Sequence, residues 1–126
     1  MEKLKIGIAG LGRLGKIHAK NLADRISGCE LTAACSLLES ELEYARTELG
    51  VRDCYSNFRE MLKNADMDAV AIVTTSGEHC NQLTAALNAG KHVFCEKPLG
   101  ISVEECYLAE KVVESHPDKV FMLGFM

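Results

Sequence analysis

The sequence predicts a doubly wound α/β fold, a parallel sheet with helices on both faces, and three observations predict it. Strand-like and helix-like segments alternate along all 126 residues. The run Asp68–Val73 is almost wholly apolar and β-rich, as a central parallel strand covered on both faces requires. Gly10-Leu11-Gly12-Arg13-Leu14-Gly15 stands directly between an apolar strand-like run, Leu4 to Ala9, and an amphipathic helix. In that setting the first glycine makes a tight turn, the second lets a pyrophosphate approach the backbone, and the third lets helix and strand pack closely. The unpaired N–H groups and dipole at the helix start favour diphosphate charge. The motif therefore points to a dinucleotide; the plainer alternative is a Gly-rich turn opening an ordinary α/β unit.

Each element has a local reason. Strand one covers about 4–9, and the helix over about 13–26 carries Leu14, Ile17, Leu22 and Ile26 at roughly helical spacing before stopping at Ser27-Gly28. Glu30 to Cys35 reads as strand two. Glu39 to Leu49 is rich in helix formers and closes at Gly50, which tolerates the left-handed cap. An extended piece at 51–55 precedes Asn57-Phe58-Arg59-Glu60, whose spacing is that of a capping box for a short helix to about Asn64. After the central strand, a helix from about Gly77 to Ala89 stops at Gly90, and His92–Cys95 forms strand five. Ser102-Val103-Glu104-Glu105 opens a last helix to about Ser115, which Pro117 ends, and Lys119–Leu123 is strand six. No repeat or linker interrupts this order, so residues 1–126 read as one domain.

Composition narrows the partners. A hydrophobic share of 48% and a charged share of 25% are those of a globular domain. The formal charge of −4, with acids and bases interspersed, offers no basic stripe to nucleic acid and no polybasic cluster to a membrane, leaving a small molecule as the expected partner. The N-terminus runs into strand one without a signal-peptide pattern, so a cytoplasmic location is expected. Cys29, Cys35, Cys54, Cys80, Cys95 and Cys106 form no C-x-x-C pair and sit mostly in apolar runs, so they read as reduced, buried thiols, and no structural metal is expected.

Three further places carry chemistry. The acidic residue that usually grips the adenosine ribose about 20 residues past the glycines is replaced by Ser36. Serine can hydrogen-bond a ribose hydroxyl or a phosphate but lacks a carboxylate. Glu39 either takes the carboxylate's place or serves as a helix N-terminal acid, and no Arg or Lys follows Ser36 until Arg46, so the sequence leans to NAD with NADP still open. Thr74-Thr75-Ser76-Gly77-Glu78-His79 follows the central strand at the edge where open α/β folds bind ligands; its hydroxyls suit ribose and phosphate, while His79 is either on the cofactor side or solvent-facing. Glu96-Lys97-Pro98 follows strand five, where proline holds Lys97 extended. Lysine there either hydrogen-bonds a substrate hydroxyl as it loses its proton or belongs to a surface charge pair. His18 and His92 read as structural.

The glycine motif, Thr74 to His79, Val93-Phe94-Cys95-Glu96-Lys97-Pro98-Leu99 and Leu123-Gly124-Phe125-Met126 together resemble, in order and spacing, the N-terminal half of the glucose–fructose oxidoreductase, inositol dehydrogenase and rhizopine catabolism (Gfo/Idh/MocA) family, and its inositol 2-dehydrogenase-like members in particular. The resemblance implies a Rossmann domain of an NAD(P)-dependent oxidoreductase that takes hydride from a secondary alcohol of a sugar or cyclitol, with Lys97 as the catalytic lysine. It places Gly10, Leu11, Gly12, Arg13 and Leu14 at the pyrophosphate, Ser36 at the adenosine ribose, and Thr74, Thr75, Ser76, His79, Glu96 and Lys97 along the ribose and nicotinamide side. It also suggests a cis Lys97-Pro98 bond. Thr75-Ser76 stand where proline and asparagine are common in the family.

Family members continue for another α/β domain that supplies the acid–base pair and substrate contacts, whereas this sequence stops at Met126. The expectation is a chain that binds nucleotide but is catalytically incomplete. The alternative is a stand-alone nucleotide-binding or redox-sensing module acting through protein association, with self-association through uncovered apolar surface; a remnant without ligand is a third reading.

Overall fold

A computed structural model describes residues 2–124. Six parallel strands, β1 (Leu4–Ala9), β2 (Cys29–Cys35), β3 (Asp53–Tyr55), β4 (Ala69–Ile72), β5 (His92–Cys95) and β6 (Phe121–Leu123), form one sheet in the order β3-β2-β1-β4-β5-β6. The helices between them are α1 (Arg13–Lys20), α2 (Glu39–Glu48), α3 (Phe58–Asn64), α4 (His79–Asn88) and α5 (Val103–Glu114). Strand order reverses between β1 and β4, so the loops leaving their carboxyl ends diverge and open a crevice there.

The two faces have separate cores. Ala19 of α1 and Ala45 of α2 pack with Ile8, Leu31, Ala34 and Ala71 on one face. Met61 of α3, Leu83 and Leu87 of α4 and Ala109 of α5 pack with Ala33, Val70, Ile72 and Val93 on the other. Val70 and Ile72 face one core and Ala71 the other, which is the period-two alternation of a strand buried on both sides. Leu31 and Ala33, two apart, face opposite cores because the pairing skips Thr32 between Ile6–Leu31 and Gly7–Ala33. That extra residue is a β-bulge, and the Thr32 hydroxyl donates to the Asp66 carbonyl at 2.9 Å.

The local signals hold at most ends. The Asn57 side chain accepts from Glu60 N at 3.0 Å and Ser102 Oγ accepts from Glu105 N at 3.1 Å, as their capping spacing predicts. The Glu105 carboxylate accepts from Ile101 N, one residue before the cap. Gly50 and Gly90 take positive φ after their helices.

The first helix departs from expectation. Its α-helical part ends at Lys20 and the last turn, Asn21–Arg25, is π-wound. Ile17 and Ile26 are about half exposed, at 53% and 50%, and the positions facing the sheet are Gly15 and Ala19. Close approach selects small side chains over large ones at this contact, which apolar spacing alone does not reveal. The helix expected from Gly77 begins as a 3₁₀ turn, Ser76–Glu78, and becomes α-helical at His79.

All six cysteines are free thiols, and Cys29, Cys35, Cys80 and Cys95 are buried. No helix among the described residues is long and apolar enough to cross a membrane. Burial pushes the Cys35 thiol up from 9.0 to about 11, and burial with the adjoining Glu96 and Cys80 pushes Cys95 up to about 12. Both folded values lie above those of the unfolded chain, so the stability they contribute is complete below pH 9 and is lost as pH rises through 11 to 12. The urea midpoint is expected to fall between pH 9 and pH 11, and less steeply in a Cys35→Ala, Cys95→Ala double variant. Equal slopes in the two proteins would assign the alkaline loss to other groups.

Candidate dinucleotide site

The site begins with backbone. Gly10 follows β1 at φ +96°, and a Cβ there would stand 2.2 Å from the Val73 carbonyl oxygen. A Cβ at Gly15 would stand 2.1 Å from the Gly10 carbonyl oxygen. Only glycine satisfies both contacts, and together they press the start of α1 onto the end of β1. A Cβ at Gly12 would meet no protein atom within 4 Å, so the space a side chain would fill there belongs to the cleft that Gly12 lines.

The chemistry of this cradle suits an anion. Gly12 is the N-cap of α1 without a side-chain cap, no acid occupies the first turn, and the first intrahelical bond runs from Lys16 N to the Gly12 carbonyl at 2.9 Å. The N–H groups of Arg13, Leu14 and Gly15 precede it and have no partner within the helix. A diphosphate fits the free donors, the dipole and the open space at Gly12 together.

One cleft of about 710 Å³ at the carboxyl edge of the sheet is lined by Gly10 to Leu14, Ser36, Thr74, Thr75, Ser76, His79, Glu96 and Lys97, all named from the sequence. Lys97 is exposed on its rim, and the Lys97-Pro98 bond is cis. The quoted Phe125 and Met126 lie outside the described residues.

Two nominated residues are held more tightly than the sequence suggests. His79 is only 1% exposed, so the solvent-facing reading is excluded. Its Nδ1 lies 2.7 Å from the Pro98 carbonyl and its Nε2 lies 3.0 Å from the Thr74 carbonyl. Carbonyls only accept, so the ring donates to whichever carbonyl faces its N–H, and it lies between the loop after β4 and the loop after β5. Glu96 is 6% exposed, and its Oε2 accepts from His18 Nε2 at 2.9 Å. A Cβ at Gly124 would stand 3.0 Å from both Glu96 carboxylate oxygens, so glycine leaves the carboxylate its place.

His18 therefore holds a cleft residue as well as packing on Phe94, whose ring centroid is 5.3 Å away. Sequence reasoning missed this link because the partners are 78 positions apart and meet only after the sheet forms. His92 is structural, its Nδ1 accepting from Val120 N at 3.0 Å.

Glu39 does not line the cleft; it pairs with Arg46 at 2.7 Å and its side chain is 74% exposed. Of its two readings, the helix N-terminal acid fits this place and the ribose acceptor does not. The α2 carboxylate that reaches the cleft is Glu41, whose Oε1 accepts from the Ser36 hydroxyl. Near the glycine loop, Thr74 Oγ1 donates to Gln82 Oε1.

Residues 4–125 match the oxidoreductase family described as Gfo/Idh/MocA with an NAD-binding Rossmann fold. The chain belongs to that family. It is 37% identical over 126 residues to scyllo-inositol 2-dehydrogenase (NAD(+)) of Bacillus subtilis and 31% identical over 124 residues to inositol 2-dehydrogenase of Salmonella typhimurium. Those alignments cover 99% and 98% of this chain but only 36% and 37% of the relatives, so the chain spans little more than a third of their length. It superposes on scyllo-inositol dehydrogenase from Lactobacillus casei, solved with NAD(H) and scyllo-inositol, with a TM-score of 0.96 at 49% identity, covering 98% of this chain and 36% of that one. The Gfo/Idh/MocA chain described here is thus the NAD-binding Rossmann part, and NAD is its cofactor.

Replacing His18 by Leu removes the donor to a nearly buried carboxylate and is expected to destabilise the fold by about 1–3 kcal/mol in urea unfolding. His18→Gln, which keeps an N–H on a flexible arm, should recover part of that loss. Unchanged stability in His18→Leu would show that water replaces the imidazole without penalty.

Proposed function

We propose that this chain is the cofactor-binding part of a dehydrogenase that moves hydride between a secondary alcohol of a sugar or cyclitol, inositol-like in class, and nicotinamide. The observation that carries this reading is that Lys97 and the glycine cradle share one cleft at one edge of the sheet. The relatives named inositol dehydrogenases supply the substrate class.

The bound dinucleotide supplies the hydride acceptor. Gly10 to Leu14 seat its diphosphate, Ser36 and Glu41 its adenosine ribose, and Thr74, Thr75 and Ser76 the wall between the two ends. Lys97 is the catalytic residue, its ammonium donating a hydrogen bond to the alcohol oxygen and stabilising that oxygen as the proton leaves. Glu96, fixed by His18, positions the Lys97 turn from beneath.

The proton itself needs an acceptor, and the histidines of this chain are engaged elsewhere. Both nitrogens of His79 face carbonyls, His18 Nε2 is on Glu96, His92 accepts from Val120 N, and His116 Nδ1 lies 2.9 Å from the Val112 carbonyl. This supports a chain that binds NAD yet is catalytically incomplete by itself, the acid–base partner coming from the remaining length found in relatives. Its free thiols suit a reducing cytoplasm.

Fluorescence titration is expected to show NADH binding, and the same protein incubated with NAD and scyllo-inositol should give no steady NADH formation. Adding the remaining domain of an inositol dehydrogenase should restore turnover, and Lys97→Met should abolish what is restored. No NADH binding would refute the cofactor site, and sustained polyol-dependent turnover by this chain alone would refute its incompleteness.

A second reading, a nucleotide-binding module acting through association, has one observation in its favour. Ile101, Val103, Tyr107 and Leu108 around the start of α5 are 66%, 87%, 58% and 57% exposed. It predicts a concentration-dependent increase in mass by sedimentation that Val103→Glu abolishes. A monomer at every concentration would leave the dehydrogenase reading alone.

A further inference from the structure

We propose that Glu41, reaching back from the first turn of α2, replaces the missing strand-two acid and sets the choice of NAD over NADP. The inference rests on the dinucleotide reading of the cleft and deepens it at the adenosine end.

Ser36 occupies the position directly after β2, where open dinucleotide folds place a carboxylate for the ribose diol. It is held there by backbone bonds on either side: Ser36 N donates to the Tyr55 carbonyl at 3.1 Å, and Gly10 N donates to the Cys35 carbonyl at 3.0 Å. The residue is 6% exposed and its hydroxyl is already committed, with Oγ accepting from Leu38 N at 3.0 Å and donating to Glu41 Oε1. A serine so engaged keeps one acceptor lone pair for a ribose hydroxyl and has no proton to give. The carboxylate it holds has a second oxygen, Oε2, and Glu41 is half-buried in the same cleft wall.

The effect is to bring a carboxylate to within one hydrogen bond of the place an aspartate at position 36 would have put it. A carboxylate accepts from both hydroxyls of a vicinal diol, which NAD offers. NADP carries a 2′-phosphate there instead, and two anions at contact distance repel. On α2 the one basic residue, Arg46, is engaged with Glu39 at 2.7 Å and Glu43 at 3.4 Å and does not line the cleft. Position along α2 separates the candidates: Glu39 projects to solvent with Arg46, whereas Glu41 projects to Ser36. An acid in a first helical turn also complements the dipole, but that role needs neither the serine nor the cleft.

The test is the pair of dissociation constants for NADH and NADPH, measured by nicotinamide fluorescence for the wild type, Glu41→Gln and Glu39→Gln. The wild type should bind NADH at least about tenfold more tightly, and Glu41→Gln should narrow the ratio by about tenfold, chiefly through tighter NADPH binding, as removal of one charge beside a phosphate implies. Glu39→Gln should leave the ratio unchanged. The assignment is overturned if the wild type takes both nucleotides equally, if Glu41→Gln binds both with the wild-type ratio, or if Glu39→Gln is the variant that moves it. Failure of the wild type to bind either nucleotide would instead refute the underlying cofactor reading, and this inference with it.

Discussion

The contact between Gly15 and the Gly10 carbonyl governs the rest of the molecule. A side-chain carbon at position 15 would lie 2.1 Å from that oxygen, so helix α1 can start where it does only because none is present. Its first N–H groups then point over the end of β1 at the place where strand order reverses. The same closeness accounts for Ala19 on the buried face and for the exposure of Ile17. Strand end, anion cradle and helix face are thus three consequences of one approach.

The remaining walls of the cleft are cross-tied by side chains that meet backbone or one another rather than solvent. His79 lies between the loops after β4 and β5 against two carbonyls, and His18 reaches from α1 to the Glu96 carboxylate after β5. Gly124, following β6, completes the enclosure of that carboxylate. Lys97 therefore stands on a turn whose preceding residue is fixed from two directions, while its own side chain remains exposed at the rim. Rigidity beneath and freedom above are what a residue needs if it is to meet a substrate over a bound cofactor.

How much of this is legible in the sequence follows the range of the interactions. Capping at Asn57 and Ser102, the helix stops at Gly50 and Gly90, and the central run before Thr74 depend on neighbours a few residues away and can be read directly. The glycine motif is legible because its flanking strand and helix are. The His18–Glu96 pair spans 78 positions, and no local pattern announces it. The sequence singles out Glu39 and not Glu41, because only the phase of α2 relative to β2 places the first beside Arg46 and the second beside Ser36. The face of α1 is misread from its large apolar residues because close packing there favours the small ones. The residues that line the cleft are therefore legible, and the contacts that hold them are not.

The central claim is that a diphosphate lies over the turn joining β1 to α1. Titrating the isotope-labelled chain with ADP while following backbone amide resonances tests it most directly, because the donors concerned are amides. The account predicts that Gly12, Arg13, Leu14 and Gly15 shift first and furthest, with smaller changes near Ser36 and little at the opposite edge around Lys5 and Asp66. Saturable shifts concentrated at that opposite edge, or none at the glycine turn, would contradict it.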